Sequence, residues 1–196
     1  MKWLISALLS LSFMPAPKPV IEKWIVGQKS NICIEGKTNI NNFRCDIYEY
    51  LPQDTLLIVR DDAEQKPLTI KGGISIDINR FDCHQKYITS DLRKTLKADK
   101  SPCLSIQLVS IGYFSQNKPP ANVKGWVVIS LAGVNKQLDI NYVVTNAGPE
   151  GMQFTGTRTI RFADFGLTPP RKLAGMIRVE EEINVKFQLW LHEINQ

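Results

Sequence analysis

Ile183-Asn184-Val185-Lys186-Phe187-Gln188-Leu189-Trp190-Leu191-His192 places an aliphatic or phenyl side chain at every second position, with amide, charged or amphipathic residues between. A strand repeats its faces every two residues, so this stretch reads as β-structure with one dry face and one wet face. The same period appears in Ile32 and Ile34, in Ile74, Ile76 and Ile78, and in Leu104, Ile106 and Leu108. It continues through Val127, Ile129 and Leu131 and again through Leu138 and Ile140. So many half-buried strands cannot all lie at sheet edges, where unpaired N–H and C=O groups invite association with other chains. An antiparallel sheet that curls until its first and last strands meet removes those edges, so the chain is expected to be all-β and closed into a barrel.

Turn residues punctuate these runs at Asn41-Asn42, Lys71-Gly72-Gly73, Lys118-Pro119-Pro120 and Ala147-Gly148-Pro149-Glu150-Gly151. The glycine pair Gly72-Gly73 also suits a bent or bulged strand. One short helix between strands is expected over Thr89–Ala98, with Ser90 as cap, Asp91 near the positive end of the dipole, and Leu92 and Leu96 one turn apart. It would cover one end of the barrel.

The length of 196 residues fits one domain. Lys2 followed by the apolar run Trp3 to Met14 reads as a secretory signal, too short to span a bilayer, so residues 1–17 are expected to be a signal peptide and 18–29 a stiff lead-in. The cleavage point is left open by Ala16 lying between Pro15 and Pro17. The barrel domain is then 30–194, and the location periplasmic or secreted. Twenty-four basic residues against nineteen acidic ones leave a net charge of +5, spread along the chain without a basic run or aromatic platform. Nucleic acid is therefore not an expected partner, whereas peripheral contact with an anionic membrane surface is compatible with the charge.

Export makes disulfides of the four cysteines the natural expectation. Arg44–Arg60 and Leu68–Cys83 look like antiparallel neighbours joined by the polar turn Asp61–Pro67, and Cys45 and Cys83 are placed symmetrically about residue 64 inside that turn. This favours Cys45 with Cys83 and leaves Cys33 for Cys103. The competing choice, Cys33 with Cys45 across a tight turn near Asn39, stays open. Four scattered cysteines with only His84 and His192 offer no clustered metal set, and no metal or cofactor is expected.

Three blocks carry a family likeness: Ser30-Asn31-Ile32-Cys33-Ile34-Glu35-Gly36-Lys37-Thr38, Leu131-Ala132-Gly133-Val134-Asn135-Lys136, and Phe162-Ala163-Asp164-Phe165-Gly166-Leu167-Thr168-Pro169-Pro170. In order and spacing they resemble the YceI-like family of secreted lipid-binding β-barrels, over Ser30 to Leu191. The middle block matches the family's Gly-Val-Thr-Lys turn with asparagine third. The last carries its Phe-Gly pair and, with Gly175 and Ile177, a Pro-Pro branch pattern. The family commonly has an arginine a few residues before the Phe-Gly pair. Here Phe162 occupies that place and Arg161 stands beside it.

The resemblance implies an extended, lipocalin-like antiparallel barrel of about eight strands around a lengthwise apolar cavity. The implied ligand is a hydrophobic or amphiphilic small molecule: a polyisoprenoid, a quinone-like compound or a fatty-acid derivative. Its tail is expected against Ile34, Phe43, Ile76, Ile78, Leu104, Ile106, Val127, Ile129, Phe162, Phe165 and Leu167. The alternative is a secreted interaction or stress-response module whose barrel is filled by its own side chains. An enzyme is not expected. Asp164-Phe165-Gly166 lacks every other kinase signature, His84 and His192 lack a nucleophile elbow, and Glu180-Glu181-Glu182 reads as a solvated strand entrance.

Overall fold

The structure, a computed structural model, describes residues 19–47, 54–61, 65–116 and 118–194; the expected signal peptide lies outside them. In chain order the elements are β1 (Val20–Val26), β2 (Asn31–Thr38), β3 (Asn42–Ile47), β4 (Thr55–Arg60), β5 (Leu68–Lys71), β6 (Gly73–Asp77) and α1 (Lys86–Thr95). They continue with β7 (Cys103–Ile111), β8 (Ala121–Leu131), β9 (Val134–Asn146), β10 (Met152–Arg161), β11 (Arg171–Lys172) and β12 (Ile177–Glu193). An antiparallel ring of eight strands runs β1-β4-β5-β7-β8-β9-β10-β12 and closes where Trp24, Ile25 and Val26 pair with Glu193, His192 and Leu191.

Within the stretch expected as a lead-in, Val20–Val26 is thus a wall strand, because Trp24 and Val26 supply two buried side chains on one face. β1 and β2 share the same edge of β12 but part at Gly27–Ser30. There Gly27 N–H still donates to Trp190 O at 2.7 Å, and the buried Ser30 hydroxyl accepts Trp190 N–H at 3.0 Å. The hydroxyl stands in for a ladder carbonyl and keeps the break satisfied. Beyond it β2 carries β3 along β12, while β1 carries β4.

The hairpin between β4 and β5 pairs Leu57 with Lys71, Ile58 with Ile70 and Val59 with Thr69, symmetrically about residue 64. The isolated bridge of Asp46 to Asp82 obeys the same symmetry, and beside it Cys45 and Cys83 form a disulfide with Cα atoms 3.9 Å apart. Gly72, at φ 120°, bends the strand between β5 and β6, both of which pair with β7. The β8–β9 reversal consists of Ala132 and Gly133 at φ 52° and 85°, the two left-handed residues of a tight hairpin. Asn135 and Lys136, expected in the turn, already belong to β9.

Two further expectations need correction. α1 begins at Lys86, a turn earlier than Thr89, and Ser90 does not cap it. Thr89 is instead drawn inward, its hydroxyl accepting Cys83 N–H at 3.0 Å. Leu92 and Leu96 bury their shared face as the spacing predicts. Cys33 and Cys103 are unpaired, Cys33 buried and Cys103 exposed. The neighbours of β2 are β12 and β3, and those of β7 are β5, β6 and β8, so the two thiols sit on strands that never meet. Burial first, then a hydrogen bond with Asp46, push the Cys33 thiol up to about 11. With one bridge and two thiols, native protein at pH 8 is expected to take one alkylating group quickly at Cys103. The second should add at Cys33 only on unfolding, and peptide mapping of the labelled protein checks both.

Candidate functional site

The inward faces do not fill the barrel evenly. Toward the end formed by β1 and β4, Phe114, Phe154, Tyr142 and Phe187 contact edge to face in series, with centroid separations of 5.7, 6.4 and 5.4 Å. Buried Arg60 seals that end, its Nε donating to Glu22 at 3.0 Å and a terminal nitrogen to Phe114 O at 2.9 Å. Gly156 lies opposite Phe187, and a Cβ there would stand 2.3 Å from the ring, so glycine lets the aromatic lie across the sheet. Burial alone pushes the Tyr142 phenol far above its ordinary range.

Beyond Tyr142 and Phe187, aliphatic side chains leave an internal cavity of about 60 Å³, walled by Ile74, Ile106, Leu108, Val127, Ile129, Ile140, Ile160 and Val185 among others. Arg158 also lines it. At the far end a larger apolar groove of about 410 Å³ runs between α1, the β2–β3 hairpin and the start of β12. Phe43, Ile88, Leu92, Phe162, Ile177 and Val179 line it. A broader depression of about 1020 Å³ on the outer side of α1, with Asn79, His84, Lys86, Arg93 and Lys94 in its walls, is mostly polar.

Of the expected tail contacts, Ile106, Val127 and Ile129 come together on the internal cavity, and Phe43 and Phe162 on the groove. Ile34, Ile78, Leu104, Phe165 and Leu167 are buried in the core and line neither space, while Ile76 borders a separate void of about 10 Å³. Sequence reasoning missed Ile140, Ile160, Val185 and Phe187, whose alternation within β9, β10 and β12 carried the signal. It also missed Ile88, one turn before Leu92 on the helix face.

The Phe-Gly block is a single 3-10 turn over Phe162–Phe165, ended by Gly166 at φ 61°. It buries Phe162 and Phe165 and leaves Asp164 outside. Asp164 accepts from Lys136 Nζ at 3.0 Å and from Arg161 N–H at 3.2 Å, which clasps the start of β9 to the end of β10. These two contacts hold its carboxyl below the usual carboxylate range, the Lys136 bond contributing most. A second cluster lies alongside: Asp139 takes Lys124 Nζ at 2.9 Å and an Arg158 terminal nitrogen at 3.1 Å, and its carboxyl is likewise lowered, chiefly by the Lys124 bond. His84 lies 3.2 Å from Asp46, on the face of β3 opposite Cys45. Among the described residues no group of His, Cys, Asp and Glu could hold a metal ion.

The profile of the YceI-like domain matches residues 53–191, so the chain belongs to the YceI-like family. No curated protein matches it. Among solved structures it resembles Burkholderia cenocepacia BcnA, with TM-score 0.62 and 16% identity over 84% of this chain and 96% of that one. It equally resembles a structure described as a polyisoprenoid binding domain from Saccharophagus degradans implicated in plant cell wall breakdown. That match has TM-score 0.62 and 13% identity over 87% of this chain and 98% of that one. At such identities the likeness concerns the fold.

A lowered native pKa means that the Asp164 clasp contributes stability above the unfolded carboxylate value of about 3.9 and loses it as the pH falls through the native value. Asp164→Asn is therefore expected to be less stable than the parent at pH 6, with the gap closing below about pH 4. Urea midpoints measured for both proteins across that range check the sign.

Proposed function

We propose that this YceI-like barrel is an exported binding protein that holds a long amphiphilic lipid, a polyisoprenoid, quinone-like compound or fatty-acid derivative, by its hydrocarbon tail. The observation that carries the reading is the apolar groove at the α1 end, whose volume of about 410 Å³ lies in the range of small-molecule sites. Phe43 and Phe162 line it and pack against the barrel core. The internal cavity of about 60 Å³ adds apolar wall but little room, so a tail would lie mainly in the groove and enter the barrel by shifting aliphatic side chains. Each buried methylene contributes roughly 0.8 kcal/mol, so a long tail binds firmly without polar contacts. The polyisoprenoid-binding description of the Saccharophagus neighbour supports the ligand class. The Lys2–Met14 signal pattern and the Cys45–Cys83 disulfide support export.

The groove end also suits contact with a membrane. Ile40 at the β2–β3 tip and Leu173 and Met176 in the loop after β11 are strongly exposed. Asn39 ties the two segments together by donating to Met176 O at 2.9 Å and accepting Arg178 N–H at 2.9 Å. Arg171 and Arg178 pair across β11 and β12 beside these apolar tips, and Arg178 Nε donates to Gly175 O between Leu173 and Met176, the pairing of basic and apolar groups that an anionic bilayer attracts.

Two outcomes follow. Native mass spectrometry with lipid extraction is expected to find an amphiphile on the purified protein, and Ile129→Trp, at the cavity wall, should lower that content while the fold survives. A filled barrel would instead lose about 1–3 kcal/mol of stability on the same substitution with no lipid to lose. In co-sedimentation, vesicles containing phosphatidylglycerol should retain the parent protein, and Ile40→Asp with Met176→Asp should abolish retention. Equal retention by neutral phosphatidylcholine vesicles would count against the basic rim.

A further inference from the structure

Among the described residues, Arg158 is the one charged side chain lining the internal cavity. It lies on β10 between Gly156 and Ile160, opposite Val185 of β12, on the face that looks into the barrel. The paired register of β9 and β10 ends at Gly156 with Tyr142, so the two strands separate just where Arg158 begins. Its guanidinium reaches Asp139 through that seam, but Asp139 is shared with Lys124. Arg158 Nε remains buried without a hydrogen-bond acceptor. An arginine offers five N–H donors in a planar fork suited to oxyanions, and a buried donor left unmet is a cost that a ligand oxygen would remove. Three cations, Lys124, Lys136 and Arg158, face two carboxylates, Asp139 and Asp164, at the seam. The balance there favours one further negative charge.

We propose that the β9–β10 seam is the headgroup subsite, where Arg158 binds the oxyanion of an amphiphile, a carboxylate or a phosphate, whose tail passes through the internal cavity by shifting aliphatic side chains and lies mainly in the groove at the α1 end. The inference rests on the lipid-binding reading and deepens it, assigning anionic rather than neutral amphiphiles to this barrel. The aliphatic stem of Arg158 completes the cavity wall while its fork meets the head. Lys124 neutralises Asp139 from outside, so the guanidinium is not consumed by its structural partner.

The test uses delipidated full-length mature protein and titrates farnesol, farnesyl phosphate, hexadecanol and palmitate by displacement of a fluorescent apolar probe. The parent is expected to prefer farnesyl phosphate over farnesol, and palmitate over hexadecanol, by about tenfold or more. Arg158→Gln should remove that preference and leave farnesol binding within about twofold of the parent, as expected when only the charge-assisted bond is lost. Lys124→Gln, which leaves Asp139 to Arg158 alone without touching the cavity, should weaken the preference and leave farnesol binding unchanged. A phosphate preference without a carboxylate one would identify the head as phosphate, and the reverse as carboxylate. If all amphiphiles bind the parent but charge makes no difference, or if Arg158→Gln retains the preference with an unchanged thermal midpoint, the headgroup subsite is wrong and the barrel reading stands. If none binds the parent, the lipid-binding reading fails and this inference with it.

Discussion

Closure of the barrel depends on β12 satisfying both of its edges. At 17 residues it is about 55 Å long, enough to pair with β10 along one side and with β2 and then β1 along the other. A strand of that length with one bare edge would present a continuous template for other chains. The chain avoids this by spending its first two strands on the same edge and breaking them at Gly27–Ser30, where the buried Ser30 hydroxyl takes over a ladder position. The break matters beyond hydrogen bonding. It lets β1 lead into β4 and the aromatic end, while β2 leads into β3, the disulfide and the groove.

That division of the barrel sets where ligand space exists. Aromatic rings occupy one half because glycine faces them across the sheet, as Gly156 does Phe187. In the other half, beyond the rings of Tyr142 and Phe187, branched aliphatic side chains from β7, β8, β9 and β12 meet and leave the internal cavity. α1 and the β2–β3 hairpin stand over that half, and the Cys45–Cys83 bridge beneath them ties β3 to the segment entering the helix. The groove is therefore built on covalently and hydrogen-bonded supports, while its rim of Ile40, Leu173 and Met176 remains in solvent.

Charge follows the same economy. Outside the aromatic end, where Arg60 and Glu22 are paired, Arg158 alone among the described charged side chains stands on the cavity wall. It stands at the point where two wall strands diverge and its side chain is partly open to solvent. The neighbouring Lys136–Asp164 clasp spans the same divergence. A barrel that is apolar within and ionic at one lateral seam has the polarity profile of an amphiphile.

The sequence by itself determined which side chains face inward, because a period of two is a local property of extended backbone. Ile74 and Ile76, Val127 and Ile129, and Ile183 to Leu191 needed no partner strand to reveal it. Symmetry about residue 64 also made the β4–β5 register legible, since a hairpin fixes pairing from its turn. What lay beyond local reading was the fate of Cys33 and Cys103, the place of Val20–Val26 as a wall strand, and the positions of Ile88 and Arg158. Each depends on which distant strands become neighbours and where their ladders stop. Only the closed ring decides that, because a strand shows its faces in its own residues but its neighbours and its gaps belong to the sheet.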